Sequence, residues 1–109
     1  MERSFSTQFV SDGVVLIGKK PLMNYVLACL TLFNSGKPYV TVRARGVAIF
    51  RAVDTVQLLR KAFLKNLSVE KISIGTQEFK MPGNIDGSTS TIEIVISKSN
   101  SNNLNTSTG

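Results

Sequence analysis

Between residues 14 and 45 the hydrophobic period of this chain changes twice, and few folds accommodate the resulting order. Val14–Ile17 is an unbroken apolar run, the pattern of a short strand buried on both faces. Gly18-Lys19-Lys20-Pro21 interrupts it, and Pro21 suits the first position of a helix, where its missing N–H has no helical partner to lose. From Pro21 to Ser35 apolar residues recur at Leu22, Val26, Cys29, Leu30 and Phe33, the spacing of a helix laid on a core. Met23, Leu27 and Leu32 widen that stripe, so this helix is expected to be covered on more than one side. Gly36 is placed to cap it. Tyr39–Arg45 then alternates strictly, with Val40, Val42 and Ala44 on one face and Thr41, Arg43 and Arg45 on the other. A strand, a helix and a strand in that order predict a parallel pair joined by a right-handed crossover.

The remaining chain extends this unit. Ala48–Leu64 returns to helical spacing, with Ile49, Val53, Val56, Leu59 and Phe63 on one side and Arg60, Lys61 and Lys65 near its end, where the helix dipole favours cations. Val69–Phe79 reads as a strand with Ile72 and Ile74 inward, and Ser90–Ser97 as another with Ile92, Ile94 and Ile96 inward. The connection KMPGNIDGST is too long for a tight hairpin turn and reads as a protruding arm. The expected architecture is a single-domain α/β fold, a β-α-β-α-β-β two-layer sandwich over residues 13–98. Residues 1–12 are expected to form a flexible arm and the uncharged polar residues 99–109 a disordered tail. A chain of 109 residues with 42% hydrophobic residues supports one core, not two.

Charge is distributed unevenly. Residues 1–65 hold ten Lys/Arg against three Asp/Glu, whereas residues 66–109 hold three against four. A basic half joined to a near-neutral half points to a polyanion surface on one part of the fold. The lone Cys29 has no partner for an internal disulfide and fits a reducing compartment. The opening MERSFSTQFV lacks the apolar core of a signal peptide, and the longest apolar stretch, Tyr25–Phe33, is too short to span a bilayer. A cytoplasmic protein without a membrane partner is expected.

Enzymatic chemistry finds little support. The chain has no histidine, which removes the commonest general base and metal ligand. It has no glycine-rich phosphate loop, and its carboxylates do not cluster in sequence. No enzyme activity, metal or cofactor is expected. The feature that breaks a local rule is Lys19-Lys20: two cations at a helix N-terminus, where acidic residues are favoured by a few tenths to about 1 kcal/mol each. A bound anion resolves the conflict, since helix N–H groups, dipole and two ammoniums converge on it. Two solvated surface lysines are the plainer alternative. Arg43 and Arg45 lie on the polar face of the second strand. In a parallel pair their end of that strand adjoins the lysine turn, giving four cations on one rim or merely a solvated strand face. Lys80, with Asn84, Ser88 and Thr89, equips the arm to enter a groove, or leaves it an ordinary mobile loop.

At this point the residues resemble a known family. VVLIGKKPLMNYVLACLTLFNSG, VRARGVAIFRAVDTV and STIEIVISK are similar to the Alba family, in unbroken order over roughly residues 10–98. The resemblance implies a fold like the C-terminal domain of translation initiation factor three. It also implies a dimer that coats and compacts archaeal chromosomal DNA without reading sequence, and often binds RNA. By position it assigns Lys19 and Lys20 as central DNA contacts, Arg45 as a further contact, and Asn24 and Tyr25 as part of the same signature. Lys19 is implied as an acetylation site, hence a substrate of an acetyltransferase and a deacetylase. Phe63 is implied as the aromatic through which neighbouring dimers pack. Three departures bear on strength: Val47 stands where members commonly carry a second basic residue, Ala62 precedes Phe63 where a charge is usual, and the arm is poor in Arg and Lys, which weakens groove contact. The alternatives are an RNA-binding or ribonucleoprotein role on the same surface and a heterodimer with a paralogue; apart from the resemblance, the basic surface also fits a module binding acidic proteins.

Overall fold

The computed structural model describes residues 9–98. In chain order the elements are β1 (Val10–Ser11), β2 (Val14–Leu16), α1 (Leu22–Asn34), β3 (Tyr39–Arg45), α2 (Ile49–Ala62), β4 (Leu67–Met81) and β5 (Ile85–Lys98), with one 3₁₀ turn, Gly46–Ala48, leading into α2. The sheet order is β1-β2-β3-β5-β4. β2 and β3 pair in parallel, with Val15 beside Val42 and Leu16 beside Arg43, and the other pairs are antiparallel. The β-α-β-α-β-β order is therefore present, with one additional short strand at its start. Of the segment expected to be a loose arm, residues 1–8 lie outside the described residues. Residues 9–12 are ordered: Phe9 is buried and Val10–Ser11 pair with Val15 and Val14. The turn between them is Asp12-Gly13, both at positive φ as a two-residue hairpin of type I′ requires. The tail over residues 99–109 also lies outside the described residues.

One face of the sheet carries both helices. Val15, Ile17, Val40, Val42, Ala44, Ile92, Ile94 and Ile96 meet Tyr25, Val26, Cys29 and Phe33 of α1 and Ala52, Val56 and Leu59 of α2. The opposite face presents Tyr39, Arg43 and Arg45 to solvent. α1 ends as expected at Gly36, whose φ of +101° allows Lys37 N–H to bond Leu32 O and Gly36 N–H to bond Phe33 O, a Schellman cap. Burial of Cys29 pushes its thiol from 9.0 up to about 12. A folded-state value above the unfolded one means that this group's contribution to stability is complete below pH 9 and is lost between pH 9 and about 12. Chemical denaturation across that window checks the expectation, alongside thiol labelling, which should be slow at pH 8 until the chain unfolds.

Several apolar residues are not where periodicity places them. Leu16 is exposed, so β2 is covered on one face only. Met23 and Leu27 are exposed, so α1 is covered on one side. α2 buries Ala52, Thr55, Val56 and Leu59, whereas Val53 and Phe63 point outward. Ile72 and Ile74 do sit in register with Ile94 and Ile92, on the helix-bearing face. However, β4 is the edge strand and no element of this chain covers them; Ile74 is 83% exposed. The arm is not a loose connection. β4 and β5 stay paired to Met81–Ile85, leaving a three-residue turn, Pro82-Gly83-Asn84. Phe79 lies over Gly87 on the facing strand; any Cβ at Gly87 would stand 2.5 Å from the ring.

Candidate nucleic-acid interface

Both strands of the parallel pair end on the same side of the sheet, and the turn after β2 meets the first turn of the helix that follows β3. β2 runs out through Ile17, whose N–H bonds Arg43 O at 2.9 Å, and the chain then turns at Gly18-Lys19-Lys20-Pro21 into α1. The hydroxyl of Tyr25, one turn into α1, accepts hydrogen bonds from the N–H of Gly18 and of Lys20, each at 2.9 Å. Tyr25 is 2% exposed and its ring packs edge-to-face on Phe9, at 5.2 Å between centroids. From the other side Arg51, in the first turn of α2, donates from Nε to Gly18 O at 2.9 Å and from Nη2 to Lys20 O. Two buried or half-buried side chains thus fix the turn, while Lys19 and Lys20 are exposed.

Electrostatically this corner is positive and uncompensated. α1 has no side-chain N-cap and no acidic residue in its first turn, and α2 likewise has none. Among the described residues neither lysine makes an ion pair. The other expected cations are differently placed. Arg43, directly opposite Glu93 on β5, bonds its Oε2 from Nε at 2.7 Å, so its charge is offset locally. Arg45 donates to the neutral Oε1 of Gln77 at 3.0 Å and keeps its charge. Lys80 is paired with Asp86 across the arm. Asn24 is half-buried, with its backbone N–H bonded to Pro21 O. Phe63 lies at the far end of α2 from Arg51, about 20 Å away for a helix of this length.

Tyr25, which the resemblance places in the nucleic-acid-binding signature, engages its hydroxyl with the backbone of the turn. Arg51 was not anticipated at all, although the same anomaly that marked Lys19-Lys20, a cation in the first turn of a helix, marks it in the sequence. Tyr25→Phe keeps the ring contact but leaves two N–H groups without their acceptor. It should cost about 2 kcal/mol and lower Tm by roughly 8–16 °C in a domain of this size. A melting curve within about 2 °C of wild type would show that the hydroxyl does not hold the turn.

A helix-backed mixed sheet whose parallel strand pair leads into a locked, exposed basic turn defines a small α/β domain with a basic corner. Its relatives give that class a family. The Alba family model matches residues 13–76. The DNA/RNA-binding protein Alba of Methanocella arvoryzae is 44% identical over 87 residues, covering 80% of this chain and 91% of that one. Among solved structures, Alba from Thermoplasma volcanium matches with a TM-score of 0.72 at 36% identity, over 77% of this chain and 98% of that one. ALBA1 from Trypanosoma brucei matches with a TM-score of 0.68 at 27% identity, over 84% and 73%. The chain belongs to the Alba family.

Proposed function

We propose that this protein binds double-stranded nucleic acid without reading its sequence, through the phosphate backbone, and as a dimer coats and compacts archaeal chromosomal DNA. The observation that carries this reading is the Gly18–Pro21 turn, where two exposed, unpaired ammoniums adjoin an uncapped helix N-terminus on a backbone held by Tyr25 and Arg51. Arg45 adds a charged fork near the same edge, and family membership supplies the ligand class, since the Methanocella relative carries a DNA/RNA-binding name. Phosphate contacts position a protein but carry no sequence information. Backbone recognition extends to A-form duplexes, so RNA is a second ligand of the same surface.

The dimer is supported by apolar surface that this chain leaves open: Ile72 and Ile74 on the helix-bearing face of the uncovered edge strand, with Ile49 and Ile92 lining the groove beside Ile74. The same surface would accept a paralogue as partner. Lys19, exposed and unpaired, is the proposed acetylation site; modification removes one of the two ammoniums and weakens binding, under an acetyltransferase and a deacetylase. Phe63, at the exposed end of α2, is the proposed contact between neighbouring dimers. Lys80 and Asn24 contribute less than the lysines, one being ion-paired and the other half-buried. The protein is proposed to reside on the chromosome in the cytoplasm. Among the described residues no helix is long and apolar enough to cross a membrane. The test is binding of a random-sequence DNA duplex across a salt series, with a matched RNA duplex as competitor. Log affinity should fall linearly with log salt, and a salt-independent or sequence-dependent affinity would overturn the reading.

A further inference from the structure

Arg51 occupies a position that its own helix disfavours. It stands in the first turn of α2, where the dipole opposes a cation and no acidic residue compensates. Its guanidinium is half-buried and is used on two backbone carbonyls, those of Gly18 and Lys20, which lie on a different loop. Tyr25 takes up the N–H groups of the same two residues. Every backbone polar group of Gly18 and Lys20 is therefore held by a side chain, so the backbone is tied down on both sides of Lys19. A planar fork reaches two acceptors at fixed separation, which an ammonium does not reproduce.

We infer that Arg51 is a positioning residue of the polyanion site. Its clamp across the Gly18–Lys20 carbonyls, not its charge, holds Lys19 and Lys20 pointing together at one stretch of phosphate backbone. The inference rests on the nucleic-acid-binding reading above and names how that site is made rigid. Without the clamp the two lysines sample separate directions and lose simultaneous contact.

The test measures binding of a random-sequence DNA duplex across a salt series, with thermal melts run in parallel. The proteins are wild type, Arg51→Lys, Arg51→Ala, Lys19→Ala/Lys20→Ala, and the double-lysine variant carrying Arg51→Ala. Arg51→Lys and Arg51→Ala should each weaken binding about eightfold at 0.1 M salt, the equivalent of one phosphate contact. Added to the double-lysine variant, Arg51→Ala should change affinity less than about twofold, because the groups it positions are gone. Wild-type affinity in Arg51→Lys would overturn the inference in favour of simple charge. A full eightfold loss in the double-lysine background would overturn it in favour of an independent phosphate contact. If Arg51→Ala does not fold, Tyr25→Phe removes the other half of the lock without touching charge. It should weaken binding to a similar extent in protein shown by melting to be folded; unchanged affinity overturns the clamp. A wild type that shows no salt-dependent duplex binding overturns the parent reading, whereas a wild type that binds alongside an unaffected Arg51→Lys overturns the clamp alone.

Discussion

Replacing Lys19 and Lys20 together by alanine is expected to lower the slope of log affinity against log salt by about two phosphates' worth, roughly 1.8 units. At 0.1 M salt, relative to 1 M, that corresponds to binding about 60-fold weaker. Both side chains are exposed and make no ion pair among the described residues, so the melting temperature should hardly move. Random and defined duplexes should lose affinity alike. A single replacement should remove about half of the slope change. Equal slopes for wild type and the double variant would mean that the turn is only a solvated surface, and binding to acidic proteins would then be the reading to pursue.

The second large effect concerns association. Ile74 is 83% exposed on the helix-bearing face of the edge strand, with Ile72 beside it and Phe50 at the start of α2 also open. Ile74→Asp should leave the isolated fold intact, because nothing in the chain packs on that side chain. In a dimer closed through this face it would bury an unpaired carboxylate, twice where the symmetry is two-fold, at about 3–5 kcal/mol each. The dissociation constant should rise at least about a hundredfold. Light scattering at micromolar concentration should report a dimer for wild type and a monomer for the variant. A monomeric wild type removes the dimer from the proposal; a dimeric variant moves the interface elsewhere.

The backbone of the fold was legible because its signals are local. Strict alternation in Tyr39–Arg45 and the cap at Gly36 each need only a few neighbouring residues, and both are where the sequence puts them. Burial was less legible, because it depends on what lies above a residue and not on its period. Ile72 and Ile74 face the expected side, yet on an edge strand that side is open. The same holds for Val53 and Phe63, which follow the spacing but fall beyond the strip of α2 that meets the sheet. The N-terminal hairpin carries an Asp12-Gly13 turn signal, but its strands are too short and too polar for alternation to mark them. Within the site, exposed lysines announce themselves by charge. The lock behind them joins residues 18, 20, 25 and 51 through hydrogen bonds that span up to 33 positions, and no periodicity encodes such a join.

The long hairpin has a consequence of a different kind. From Ile74 to Asp86 every residue is exposed, so the outer part of β4 and β5 is held by its own ladder, by Phe79 over Gly87 and by the exposed Lys80–Asp86 and Arg45–Gln77 contacts, with no helix above it. Such a segment opens at a free energy well below that of the body, and its amide protons exchange with solvent while those of Val40, Ile94 and Ile96 still wait for global unfolding. The molecule therefore has two clocks. Any surface that the hairpin grips must first arrest the faster one, and the entropy lost in doing so opposes binding most strongly as temperature rises.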